Sequence, residues 1–143
     1  MSFLNTLTPP SVTPPDYTTP PFPSLYWPFP VHTTASLYLY HATDIWRFTV
    51  LWTLLFFGAT HIAASLYAVL VQLRNWKLVW IVPVVFAVVG GAEAFVAGSV
   101  VGGLLGGVYN GGQFRMSTWI PFVWGAVNAL VVVLGGFAIQ SGL

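Results

Sequence analysis

The sequence predicts an all-α membrane protein: three transmembrane helices in a compact, homodimeric bundle behind a proline-rich N-terminal arm. Three observations predict it. Of 143 residues, 57% are hydrophobic and 5% charged, with mean hydropathy +0.80, whereas a soluble domain carries about 25% charged residues to cover its surface. Three apolar runs are each long enough to cross a bilayer and are separated by short polar turns. Nine of the eleven prolines fall within the first 42 residues, so helix is excluded there and free to run elsewhere.

The arm covers residues 1–42. Its prolines predict extended polyproline II or disorder. Its aromatics, among them Phe22, Tyr26, Trp27, Tyr38 and Tyr40, favour the headgroup layer. Residues 23–40 are therefore expected on the membrane surface or over the helices. No basic segment precedes an apolar run at the N-terminus, so the first helix is expected to act as the insertion signal.

The transmembrane domain covers residues 43–143. Its first helix is expected at 44–73, with Thr43 or Asp44 as N-cap. Arg74, Asn75, Trp76 and Lys77 make a short polar turn, so the first two helices are antiparallel neighbours. The second helix, 78–109, holds one charge, Glu93. Pro83 and the Gly90-Gly91 pair are its expected bend points. Asn110-Gly111-Gly112 signals a turn. Ser117 or Thr118 caps the third helix, 117–140, with Pro121 in its first turn, where proline is tolerated. Trp27, Tyr38, Tyr40, Trp76 and Tyr109 are the expected interfacial anchors.

The second helix carries Gly90, Ala94, Gly98, Gly102 and Gly106 at four-residue spacing, beside a second row of Gly91, Ser99, Gly103 and Gly107. Apolar helices in lipid associate through close van der Waals packing, which small residues permit. The first row is expected to be a packing seam and to suit a second copy of the chain.

Each helix also carries one strongly polar residue well inside: His61, Glu93 and Asn128. Counting rise from Arg47, Lys77 and Arg115 puts all three about 20 Å from the same side, near the bilayer centre. An ionised carboxylate there costs on the order of 3 kcal/mol. Glu93 and His61 either pair, relay a proton or pass a headgroup, or a neutral Glu93 hydrogen-bonds His61, Asn128 or a backbone carbonyl as interhelical glue.

The charges exclude other classes. A net charge of +1 leaves no nucleic-acid footprint. The chain has no cysteine, so disulfides, thiolate metal sites and a cysteine nucleophile are excluded. His32 and His41 lie in the arm, no HExxH pattern occurs, and Asp16, Asp44 and Glu93 are far apart. No catalytic residue, metal or cofactor is expected. Arg74 and Lys77 on one side balance Arg47 and Arg115 on the other, so the positive-inside rule is nearly silent. Weighting the acid-free loop makes it and the C-terminus cytosolic, with the arm lumenal.

From Trp46 onward, over about 100 residues, the chain resembles the transmembrane protein 170 family. The likeness is carried by Leu51-Trp52, a mid-helix His61 followed by small residues, Leu73-Arg74, Ala97-Gly98, Gly107-Val108-Tyr109 and Ile120-Pro121-Phe122. The resemblance implies a three-helix protein of the endoplasmic reticulum and nuclear envelope, with its arm in the lumen. It also implies a part in shaping reticulum membrane towards sheets and in organising the nuclear envelope. The implied partners are membrane lipids and nuclear-pore or reticulum-shaping proteins. The proline-rich arm and Glu93 depart from the family pattern. The sequence reading is thus a non-enzymatic membrane organiser. Its rivals are a lipid transporter or scramblase using the polar layer, and an accessory subunit of a larger membrane complex.

Overall fold

The computed structural model describes residues 13–26, 37–72, 79–140 and 142. The elements run β1 (Tyr38–Leu39), α1 (Ala42–Val71), α2 (Ile81–Gly111), β2 (Met116–Ser117) and α3 (Trp119–Gln140). Among the described residues, three helices are long and apolar enough to cross a membrane: Ala42–Val71, Ile81–Gly111 and Trp119–Ala138. The expected turn at residues 74–77 and the anchors Trp27 and Trp76 lie outside the described residues.

The helix ends differ from expectation in instructive ways. The N-cap of α1 is His41, not Thr43 or Asp44, and it makes no side-chain cap bond. Asp44 instead lies buried in the first turn, where a carboxylate complements the helix dipole. Its Oδ2 accepts a 2.8 Å hydrogen bond from the Thr19 hydroxyl. Pro83 is not a bend point, because α2 begins at Ile81 and so places it in the first turn. The helix also runs unbroken through Gly90-Gly91 and on through Asn110 and Gly111.

The turn after α2 falls at Gly112 and Gln113, past the expected Asn-Gly-Gly site. Phe114 N–H donates to the Tyr109 carbonyl at 2.8 Å, and Gln113 N–H to that of Asn110 at 3.2 Å. Gln113 sits at φ 52°. These two bonds around a left-handed residue make a Schellman motif, with glutamine where glycine is usual. At the start of α3, the Ser117 hydroxyl accepts from Trp119 N–H at 3.3 Å.

Gly90, Ala94, Gly98, Gly102 and Gly106 are the buried residues of α2. They lie against α1 of the same chain. A Cβ on Gly98 would stand 3.0 Å from Val50 Cα, one on Gly102 3.1 Å from Trp46 Cα, and one on Gly106 3.0 Å from the Ala42 carbonyl. The two antiparallel backbones therefore touch along the row, and no second copy fits there. The expected dimer seam is used up inside the monomer. The other row is open at its glycines: a Cβ on Gly91, Gly103 or Gly107 meets nothing within 4 Å, while the Ser99 hydroxyl is buried.

Helix α3 packs chiefly on α1, with Gly125 against Trp52 and Thr53 and Ala129 in one buried cluster with Phe57 and Ala94. From residue 130 to 137 every side chain of α3 is exposed.

Residues 13–26 of the arm hold no helix or strand, in line with their prolines, and they dock on one end of the bundle. Phe22 packs on Phe48 and Trp52, with ring centroids 5.5 and 5.0 Å apart. Trp119 Nε1 donates to the Tyr26 carbonyl at 2.8 Å, and the Thr118 hydroxyl to that of Ser24 at 2.9 Å. The strands pair antiparallel, Tyr38 with Ser117 and Leu39 with Met116. Beneath them Leu39, Ile45, Phe48 and Met116 form a buried cluster. Of the anchors, Tyr38 lies under the Arg115 guanidinium at 4.4 Å, Tyr40 packs edge-on against Tyr17, and Tyr109 packs on the buried cluster. Tyr38, Tyr40 and Tyr109 thus also take part in the tertiary packing of this end.

Candidate functional site

Two of the three inner polar residues come together. His61 sits on the α1 face that meets α2, in a slot that Gly90 leaves open. A Cβ at position 90 would stand 2.6 Å from the imidazole, so any other residue displaces the ring. Nδ1 lies 2.9 Å from the Phe57 carbonyl. A carbonyl only accepts, so Nδ1 carries the proton and donates. The ring stacks on Phe57 at 6.0 Å and 11° and meets Phe86 edge-on at 6.2 Å.

The remaining nitrogen, Nε2, is 3.8 Å from Glu93 Oε2. That distance is too long for a hydrogen bond but is within ion-pair range when the histidine is protonated. The His61 side chain is 17% exposed and that of Glu93 is 49% exposed. An imidazole acceptor and a carboxyl thus stand side by side at the α1–α2 contact, oriented by Phe57 and Gly90. The arrangement has the parts for proton exchange between two groups, or for a hydrogen bond closed by a small rotation of Glu93.

Asn128 does not join them. Its Nδ2 donates to the Thr53 hydroxyl at 3.2 Å, and Thr53 in turn donates to the Thr49 carbonyl at 2.8 Å. Thr53 precedes His61 by eight residues, about 12 Å along α1. The single polar layer expected from counting is therefore two levels. Counting failed because it set Arg115 level with Arg47, whereas the strand pair places Arg115 beside Tyr40, ahead of the start of α1.

Thr49 and Thr53 are fully buried and had not been singled out from sequence. Their hydroxyls bond back to carbonyls of their own helix, while Thr53 stands against Gly98 and Thr49 against Gly102. The signal was their four-residue spacing, matched to the glycine spacing opposite.

His61 also borders a groove of about 480 Å³, open on one side and lined by Leu54, Gly58 and Ile62 of α1 and by Pro83, Ala87 and Gly91 of α2, among others. Its lining is almost wholly apolar. A continuation of about 270 Å³ runs past Ser65 to Val69 and Val79.

A family model described as transmembrane protein 170A/B-like matches residues 38–143. The match starts at β1, so the strand that closes the capped end belongs to the shared domain. The chain is also 39% identical over 130 residues to the uncharacterized protein YPR153W of Saccharomyces cerevisiae, covering 91% of this chain and 92% of that one. No solved structure matches the chain.

Proposed function

The chain belongs to the transmembrane protein 170A/B-like family, and from that membership we propose a non-enzymatic integral membrane protein that shapes the endoplasmic reticulum and nuclear envelope. Its arm faces the lumen and its C-terminus the cytosol. The observation that carries the reading is the unequal bulk of the two ends. At the arm end, three helices, the strand pair and the docked arm pack around Leu39, Ile45, Phe48 and Met116. At the other end the outer half of α3 stands exposed on every side. A body wider on its lumenal side adds area to the lumenal leaflet. That opposes the outward bending of the cytosolic leaflet that makes a tubule, and so favours sheets.

The test is reconstitution in one orientation into vesicles of reticulum-like lipid, imaged by cryo-electron microscopy at rising protein density. Flattening, or bending with the arm on the convex side, is expected. Vesicles that keep their shape at high density reject the proposal.

The contact between His61 and Glu93 favours one second reading, lipid handling across the bilayer, although Asn128 does not contribute. A fluorescent-lipid scrambling assay decides it. Activity lost in both His61→Ala and Glu93→Ala supports that reading, and an inactive parent protein ends it.

A further inference from the structure

A second pocket, of about 340 Å³, opens at the capped end of the bundle. Unlike the groove beside His61, its lining is mostly polar. Four segments converge on it. Tyr40 and His41 come from the junction of β1 and α1, and Tyr109 and Asn110 from the last turn of α2. Gln113 and Phe114 come from the Schellman turn, and Thr13 from the arm. The pocket therefore lies at the ends of two membrane spans, at headgroup level.

Its hydrogen-bonding groups are unspent. No described residue hydrogen-bonds the Tyr109 hydroxyl or the side-chain amides of Asn110 and Gln113. His41, the N-cap of α1, makes no side-chain cap bond. Gln113 is also held at φ 52°, although Gly112 stands next to it. The left-handed position thus falls on the residue that brings an amide to the pocket, and strain of this kind clusters at ligand sites.

We infer that this pocket binds a polyhydroxylated six-membered ring, an inositol or a hexose, carried by a lipid headgroup or free in solution. Amides and hydroxyls both donate and accept, as the hydroxyls of such a ring do. The electron-rich faces of Tyr40, Tyr109 and Phe114 suit its C–H bonds. No Lys, Arg, Asp or Glu lines the pocket, so a phosphate or an amine finds no countercharge there. The volume is at the small end of ligand pockets, about 300–1,000 Å³, and suits a single ring. The inference stands apart from the sheet-shaping role.

The test is native mass spectrometry of the full chain with phosphatidylinositol, glucosylceramide, phosphatidylserine and phosphatidylcholine. Melting in detergent with myo-inositol or glucose is its second arm. The variants are Asn110→Ala and Gln113→Gly, with Gln72→Ala at the far end of α1 as control. Gln113→Gly removes the amide while relaxing the turn, so binding lost in that variant is not lost through unfolding. Phosphatidylinositol or glucosylceramide is expected to bind in preference to the other two lipids. Each pocket variant should weaken that preference about fivefold, the worth of one neutral hydrogen bond, and the control should keep it. A rise in melting temperature with myo-inositol or glucose, absent from the pocket variants, supports the free ring as ligand instead. A preference shared by phosphatidylserine, or one kept by both pocket variants, overturns the inference. So does the absence of any preference together with no melting shift.

Discussion

At the scale of the residue, His61 and Gly90 act as one unit. The ring is held by the Phe57 carbonyl and fills the space that a Cβ at position 90 would need. Gly90→Ala is expected to cost about 1–3 kcal/mol, the usual penalty of overpacking. In a His61→Ala background the same change should cost far less, and a double-mutant cycle of melting in detergent reads the difference. Tyr17 supplies a second prediction. Burial, with the Asp44 carboxylate next in importance, raises its phenol above the ordinary value of 10.0. The folded chain therefore prefers the neutral phenol. Its contribution is complete below pH 10 and is lost as pH rises through the raised folded value. Alkaline melting should destabilise the parent protein more steeply than Tyr17→Phe.

Elements are decided at their ends and seams. The Schellman turn after α2 holds Gln113 in the left-handed region, which costs an ordinary residue roughly 1–2 kcal/mol. Gln113→Gly should raise the melting temperature, by about 1 kcal/mol of stability. The seam between α1 and α2 predicts the opposite for Gly98. Its neighbour at 3.0 Å is the backbone of Val50, which cannot swing aside. Gly98→Val should force the helices apart and lower stability by about 1–3 kcal/mol or more. Gly103→Val, on the open row where a Cβ meets nothing within 4 Å, is the matched control and should be silent. The fact that this row is open while its neighbour is filled also explains why a stripe of small residues did not by itself identify a dimer interface.

For the whole molecule, the asymmetry between the capped end and the end where α3 stands exposed gives orientation its meaning, and orientation can be read directly. The chain contains no Asn-x-Ser/Thr acceptor. One placed just ahead of Thr13 should be glycosylated in reticulum membranes if the arm is lumenal, and one appended after Leu143 should not. Glycosylation of the C-terminal acceptor alone would reverse the leaflet in which the bulk lies, and with it the expected sign of bending.

Much was legible from composition and spacing. Three spans, their approximate limits, the antiparallel first pair and the inward row of Gly90, Ala94, Gly98, Gly102 and Gly106 follow from hydropathy and the four-residue period, because both are local properties of a helix in lipid. The meeting of His61 with Glu93 was also within reach, since both lie on the first two helices, where counting rise is sound. What only the tertiary structure decided depends on contacts between distant segments. It seated the arm on the bundle through Phe22, Tyr26 and Thr19. It paired Asn128 with Thr53 rather than Glu93, because the strand pair sets Arg115 beside Tyr40, ahead of α1, rather than level with Arg47. It spent the glycine seam on α1 and left the outer half of α3 exposed. Periodicity states which face of a helix is small or apolar. Which neighbour takes that face is settled by packing, and packing belongs to no single stretch of the chain.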